Sequence, residues 1–184
     1  MIGLIVLVIV VALVITYIVM YNGLQRAKVN TDEAWSQIDV QLQRRNDLIP
    51  NLVETTKGYA KHERETLDEV VGLRNKIMQL PADAHQEKME ISNQLTDALK
   101  SIFALSENYP DLKASQEFSQ LQEELTNTEN KIAYSRQLFN SSAALYNQKL
   151  VTFPSNMVAH IHHMTKVNYL ETPSAAKEAP KVLF

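Results

Sequence analysis

The sequence of 184 residues contains no cysteine, four glycines and no charged residue before Arg26. Without cysteine the chain has neither a disulfide framework nor a thiolate metal site, which fits a reducing compartment. Scarce glycine, combined with abundant Glu, Gln, Lys, Leu and Ala, indicates long helices joined by short turns. The formal net charge of −3 gives no basic excess, so a nucleic-acid partner is not expected.

The uncharged stretch at the N-terminus reads MIGLIVLVIVVALVITYIVMY, which matches the length of about 20 apolar residues that a helix needs to span a bilayer. It lacks the basic start, the shorter apolar core and the small-residue cleavage site of a secretory signal peptide. We therefore predict a single-pass transmembrane anchor at residues 1–23, with Gly23 acting as a swivel. Arg26 and Lys28 follow the anchor, so the positive-inside rule predicts that the C-terminal domain is cytoplasmic.

After the anchor, apolar residues recur at steps of three and four, which is the pattern of amphipathic helices. The first of these helices starts at Leu24 and should bend at Pro50 without ending there, because its apolar phase persists on both sides. The predicted fold class is all-α: an N-terminal transmembrane helix, then an elongated antiparallel four-helix bundle, then a short C-terminal helix. The predicted bundle covers residues 24–152, and its second, third and fourth helices cover residues 61–80, 83–107 and 112–152. The short amphipathic helix is predicted at residues 153–168 and a disordered tail at residues 169–184.

The predicted helices differ in length. At 1.5 Å per residue, the first and fourth helices of the bundle would reach about 55 to 60 Å, and the middle two about 30 to 38 Å. Near the membrane only two helices would then lie side by side, and such a pair cannot bury apolar stripes on more than one side. We expect this part to be completed by another copy of the chain, by the short C-terminal helix or by the bilayer surface. The predicted interaction and oligomerisation residues are Trp35, Ile38, Leu42, Arg45, Phe139 and Tyr146.

Arg45 interrupts the apolar face of the first bundle helix. A charged residue in that position is either buried with a carboxylate partner or extended to the edge of the bundle, and one buried charge often fixes helix register. Glu124 and Glu129 on the fourth helix are the candidate partners for such a register ion pair. A binding role for Arg45 is the alternative.

Three histidines, His160, His162 and His163, lie close together in the short C-terminal helix. A spacing of three residues would place His160 and His163 on one helical face, where imidazoles can bind a metal. No carboxylate or cysteine lies near enough in sequence to complete a site, so we expect no metal. A pH-sensitive or interfacial helix is the preferred interpretation. The sequence predicts no catalytic residue and no cofactor.

Two long blocks and a shorter one resemble a known family. They read EAWSQIDVQLQRRNDLIPNLVETTKGYAKHE from Glu33 to Glu63, YPDLKASQEFSQLQEELTNTENKIAYSRQLFN from Tyr109 to Asn140, and then LYNQKLVTFPSN. These blocks are similar to the signature blocks of the bacterial LemA family, although Phe139 stands where that family usually has tyrosine. The resemblance implies a membrane-anchored antiparallel four-helix bundle in the bacterial inner (plasma) membrane.

LemA proteins have no established enzymatic chemistry, so the resemblance implies a protein that is not an enzyme. One relative is associated with building a magnetosome membrane, which supports a membrane-organising role by analogy. The leading prediction is therefore a non-enzymatic, membrane-anchored scaffold that self-associates and organises the inner membrane. The alternative is a monomeric adaptor that presents its bundle to a membrane partner such as a quality-control protease. The predicted partners are the lipid bilayer, further copies of the chain and such a membrane protein.

Overall fold

The computed structural model describes residues 1–60 and 62–171, and all regular structure within these ranges is helical. The predicted all-helical class is therefore confirmed. Residues 169–171 of the predicted tail are described and are not helical, and the rest of that tail lies outside the described residues. The helices are α1 (Ile2–Tyr59), α2 (Arg64–Gln79), α3 (His85–Leu105), α4 (Pro110–Lys113), α5 (Gln116–Val151) and α6 (Ser155–Ile161), with a single 3₁₀ turn at Ser106–Asn108 after α3.

Helix α1 is continuous from the apolar N-terminal run into the amphipathic segment. The predicted swivel at Gly23 is wrong, because a glycine inside a helix costs only about 1 kcal/mol relative to alanine and its neighbours offset that cost. Leu24 is fully buried immediately after it, and the Lys149 side chain donates a hydrogen bond to the Gly23 carbonyl at 3.3 Å. These contacts hold the backbone helical at this point.

The N-terminal part of α1 has the surface expected of a membrane span. Among the described residues, α1 is the one helix long and apolar enough to cross a bilayer. Its side chains from Ile2 to Val19 are exposed, which rules out a buried core helix of the same chain. An apolar surface of this size is favourable against lipid and unfavourable against water.

The chain divides into two compact units. We call residues 1–37 and 135–169 the anchor unit, and residues 38–134 with Leu170 and Glu171 the core unit. The core unit contains one apolar cluster to which α1 to α5 all contribute. Its buried members include Ile49, Leu52, Leu67, Val70, Leu95, Ile102, Leu112, Phe118 and Leu125.

The predicted fourth helix, 112–152, is interrupted near its start. Leu112 lies in the short helix α4 and is fully buried, and α5 begins only at Gln116. The Ser115 hydroxyl accepts a hydrogen bond from the Phe118 backbone N–H at 3.3 Å, which caps the first turn of α5. The sequence carried this signal, because a serine at the N-cap with an acidic residue in the first turn, here Glu117, is a recognised helix start.

Helix α6 is shorter than predicted, and its end changes the arrangement of the histidines. It ends at Ile161, and His163 adopts the left-handed conformation with φ of 50°. The backbone N–H of Met164 donates to the Ala159 carbonyl at 3.0 Å, and that of His163 to the His160 carbonyl at 3.1 Å. These two bonds form a Schellman motif. His160 and His163 therefore do not share a helical face, contrary to the prediction.

Helix α1 passes through Pro50 without ending, as predicted. Proline has no N–H, so the carbonyl four residues earlier, that of Asn46, loses its helical donor. Asn46 is 3% exposed, and its carbonyl accepts a hydrogen bond from Nε of Arg74 at 2.9 Å. A guanidinium from α2 thus replaces the missing backbone donor, which ties α2 to α1 at this turn.

Replacing Arg74 with methionine should lower the free energy of unfolding by about 1 to 3 kcal/mol, the cost of leaving a buried acceptor without a donor. In a Pro50→Ala background the same replacement should cost less, because the alanine N–H can then donate to the Asn46 carbonyl. Urea unfolding of the four proteins in detergent micelles, followed by circular dichroism, measures this coupling. If Arg74→Met costs the same with and without Pro50→Ala, Arg74 does not replace the backbone donor that Pro50 lacks.

Candidate functional site

The strongest polar feature of the core unit is the guanidinium of Arg45, whose side chain is 1% exposed. Its Nη1 donates to Oε2 of Glu129 at 2.8 Å and to the Thr96 hydroxyl at 3.0 Å. Its Nη2 donates to both the carbonyl and the hydroxyl oxygen of Ser92. The network therefore joins α1 to α3 and α5, and it combines a charge-assisted pair with neutral acceptors.

Thr96 completes this network between the two charged groups. Its hydroxyl lies 3.0 Å from both the Glu129 carboxylate and the Ser92 carbonyl, and it accepts from Arg45. Removing a guanidinium from water costs several kcal/mol, and that cost is recovered only when its donors find well-placed acceptors. Here a carboxylate and three neutral oxygens supply them.

Of the two predicted partners of Arg45, the structure brings Glu129 into contact and places Glu124 elsewhere. Glu124 lies 3.7 Å from Nη2 of Arg44, and both of these side chains are about half exposed. Such a surface pair contributes little to stability because water and salt screen it. The consecutive arginines Arg44 and Arg45 thus have opposite environments, one in solvent and one in the core.

A small cavity of about 200 Å³ lies between α3 and α5 beside the Arg45 network. The sequence did not predict it, because a cavity depends on how two helices pack against each other. Sites for small molecules usually measure about 300 to 1,000 Å³, so this cavity suits a single side chain of a partner better than a metabolite. Leu99, Phe103 and Leu125 line its apolar part, and Thr96, Lys100, Thr126, Glu129 and Asn130 its polar part.

In the anchor unit, aromatic side chains from α1 and α5 meet. The rings of Trp35 and Phe139 lie 6.0 Å apart in an edge-to-face arrangement, at an angle of 74°. Tyr146 is 2% exposed, and burial, with a smaller contribution from the charge of Asp32, raises the pKa of its phenol. These residues, which we call the aromatic seam (Trp35, Phe139 and Tyr146), form part of the interior of the anchor unit.

All the residues predicted to mediate oligomerisation are shielded within the chain itself. The prediction that these residues mediate oligomerisation rested on an apolar stripe that a single chain could not cover. They do not form a surface that a second copy could contact without rearrangement. Their exposed fractions are 7% for Trp35, 0% for Ile38, 2% for Leu42, 1% for Arg45, 2% for Phe139 and 2% for Tyr146.

The chain after α6 is hydrogen-bonded to α5 next to Tyr146. The side-chain amide of Asn147 donates to the Val167 carbonyl at 2.8 Å and accepts from the Val167 backbone N–H at 2.9 Å. Two bonds to one residue hold the extended segment against α5. The three completions considered from the sequence were another copy, the short C-terminal helix and the bilayer surface. Of these, the structure shows the short helix α6 packed on α1, where Val158 and Ala159 form a buried cluster with Leu24.

The sequence and these features can be compared with known proteins. The family model described as the LemA family matches residues 34–184, which are most of the chain. The chain belongs to the LemA family. This LemA-family chain is 29% identical over 143 residues to protein LemA of Metamycoplasma hominis, an alignment that covers 78% of the chain and 65% of that relative. The chain thus spans less than two thirds of that relative's length.

Two further relatives of this LemA-family protein carry magnetosome names. Magnetosome protein MamQ of Magnetospirillum gryphiswaldense is 25% identical over 189 residues, with 90% of the chain and 70% of the relative covered. Magnetosome protein MamQ 2 of Paramagnetospirillum magneticum is 24% identical over 190 residues, with the same coverage. Together with the apolar part of α1, these relatives indicate a membrane-associated protein.

The histidines of this LemA-family protein have separate surroundings. The Tyr17 hydroxyl and Nε2 of His162 lie 2.7 Å apart, and the His162 and Tyr21 rings lie 4.6 Å apart. His160 and His163 are exposed. Within residues 1–60 and 62–171, no three side chains of His, Asp or Glu are arranged to hold a metal ion. The structure gives His162 a structural contact with the apolar part of α1.

Replacing Glu129 with alanine should lower the free energy of unfolding of the full-length protein in detergent by about 3 kcal/mol, because it leaves a buried guanidinium without its carboxylate. Arg45→Met removes the charge and keeps the volume, so it should cost less. Adding Glu129→Ala to Arg45→Met should then have little further effect. Urea unfolding of the variants measures each cost.

Arg44→Met is the matched control, since its solvent-exposed pair with Glu124 should change stability by less than about 0.5 kcal/mol. Additive costs of Arg45→Met and Glu129→Ala would show that the two groups do not stabilise each other.

Proposed function

We propose that this LemA-family protein is a non-enzymatic, membrane-anchored helical adaptor that presents a four-helix bundle to another membrane protein. The observation that carries this proposal is the closure of the aromatic seam by the chain itself. Trp35 is 7% exposed in a single chain, so no second copy is needed to bury it. A protein that completes its own interior can act as a monomer.

In this proposal the bundle consists of α1, α2, α3 and α5. The apolar cluster of the core unit supports it, because these helices all contribute buried side chains to that cluster. The lengths support it as well. Helices α2 and α3 have 16 and 21 residues, about 24 and 32 Å, and both are shorter than α1 and α5, as in the predicted elongated bundle.

A non-enzymatic role fits the use of the polar groups in the core unit. Arg45 and Glu129 contact each other and the hydroxyl of Thr96, so their hydrogen-bonding capacity serves packing between helices. The small size of the adjacent cavity, about 200 Å³, also favours a structural role for this region.

The location proposed for the protein is the bacterial inner membrane, with the chain after α1's apolar part in the cytoplasm. Arg26 and Lys28 support this orientation.

Because the chain has no cysteine, Val29→Cys, at a position 60% exposed, introduces a single thiol. A membrane-impermeant maleimide should label it only after the inner membrane is opened. Labelling from the periplasm in intact spheroplasts would show the opposite orientation.

A self-associating scaffold is the second candidate, and specific side chains favour it. Val29 and Val40 on α1 are 60% and 62% exposed, and Tyr134 and Leu145 on α5 are 69% and 60% exposed. Each pair is separated by 11 residues, or about three helical turns, so its members share a helix face. Self-association would use these faces, not the buried aromatic seam, and the magnetosome names of two relatives fit a membrane-organising role.

Light scattering of the full-length protein in detergent distinguishes the two candidates. The adaptor should give the mass of one chain, 20.9 kDa after correction for detergent, over a wide concentration range. A scaffold should give a multiple of that mass, which Tyr134→Asp or Leu145→Asp would reduce. Ser141→Asp, at another exposed position of α5, is the matched control. A stable assembly that resists dilution would contradict the adaptor.

A further inference from the structure

Helix α6 and the turn before it present apolar side chains outward. Phe153 is 76% exposed, Met157 58% and Ile161 60%. Met157 and Ile161 are four residues apart and therefore lie on one face of the helix. The buried residues Val158 and Ala159 lie on the other side, so α6 is apolar on both faces.

The inner face of α6 is attached to the end of the apolar part of α1. Val158 and Ala159 form a buried cluster with Leu24, against which Met20 and Tyr21 also pack. Just after α6, Nε2 of His162 lies 2.7 Å from the Tyr17 hydroxyl, and its ring lies 4.6 Å from that of Tyr21 at an angle of 47°. The attachment therefore reaches back by two turns from Leu24 to Tyr17.

These contacts place α6 at the boundary of the bilayer. The apolar run of α1 ends at Tyr21, because Asn22, Gly23 and then the first charged residue, Arg26, follow it, so Tyr17 lies in the last turn of the span. Tyrosine is enriched at the membrane–water interface of membrane proteins, where its ring contacts acyl chains and its hydroxyl contacts headgroups. A segment that binds Tyr17 and Tyr21 directly lies at the same depth.

We propose that α6 and the preceding turn form a second membrane contact, in which Phe153, Met157 and Ile161 insert into the boundary between headgroups and acyl chains of the same bilayer. The occupant of this surface is phospholipid because α6 and His162 are attached to Tyr17, Tyr21 and Leu24, at the end of the exposed apolar part of α1. The protein thus touches the membrane with a helix lying on it as well as with its span.

Two further features fit lipid at this surface. A depression of about 620 Å³ lies beside α6, with Leu150, Met157, Ile161 and Met164 as its apolar lining and Asn156 and His160 as its polar lining. A phospholipid likewise has apolar acyl chains and a polar headgroup. Lys149, which is exposed and donates to the Gly23 carbonyl, can extend its ammonium group toward lipid phosphate.

The test uses single cysteines introduced into the full-length, cysteine-free chain. Met157→Cys, Ile161→Cys and Phe153→Cys are labelled with an environment-sensitive nitrobenzoxadiazole probe. The labelled proteins are reconstituted in vesicles of phosphatidylethanolamine and phosphatidylglycerol, with or without lipid carrying a nitroxide near the headgroup. Val29→Cys is the control, since Val29 is equally exposed in the same unit but lies eight residues, about 12 Å, beyond Tyr21 along α1.

The probes at positions 153, 157 and 161 should emit as in an apolar medium and should lose about half or more of their fluorescence to the nitroxide lipid, as expected for an interfacial helix. The control should be quenched much less. Water-like emission without quenching at 157 and 161 would overturn the proposal. Apolar emission without quenching by nitroxide lipid would also overturn it, in favour of a second copy that covers α6. Unchanged helical circular dichroism of each variant excludes misfolding as the cause.

Discussion

The structure of the core unit depends on where the charge of Arg45 is neutralised. Apolar contacts such as those of Ile49 and Leu95 have no fixed direction, and helices can exchange them for similar contacts after a shift of one turn. A guanidinium has donors in a rigid planar fork, so its acceptors must lie in particular places. Moving α1 by one turn, about 5.4 Å, would separate Arg45 from Glu129 and leave a buried charge. We infer that this network sets the register of α1 against α3 and α5.

Sequence periodicity was enough to predict the helical class, the apolar span and the position of Arg45 on the apolar face of its helix, because each of these follows from the spacing of residues along one helix. It left open whether the Arg45 side chain is buried or reaches the edge of the bundle. It could not choose between Glu124 and Glu129, which lie five residues apart on α5. That choice depends on the rotation and height of α5 relative to α1, which are properties of a pair of helices. The carbonyl of Asn46 is an intermediate case. Pro50 showed that it would lack a donor, but only the packing of α2 showed that Arg74 supplies one.

Helix lengths left open what covers the aromatic seam. They predicted that a pair of helices needs a further cover, and Trp35 is only 7% exposed within a single chain. Asn147 holds the segment after α6 through two hydrogen bonds to the backbone of Val167. Because these bonds go to the backbone, they do not depend on the side chain at position 167. An irregular segment of this kind leaves no pattern in a sequence, and a self-contained anchor unit weakens the original reason for expecting oligomers.

These conclusions also restrict where a protein partner can bind. If α6 contacts lipid, its apolar surface is not available to a protein partner. The core unit offers other accessible features, namely the cavity between α3 and α5 and the exposed side chains of Val40, Tyr59, Met78 and Tyr134. That cavity is apolar at Leu99 and Phe103 and bordered by the partly exposed carboxylate of Glu129, so it suits an apolar partner side chain with a cationic neighbour. A partner bound there would also contact Thr96 and Glu129, which are members of the Arg45 network, so its binding would depend on the same buried charge.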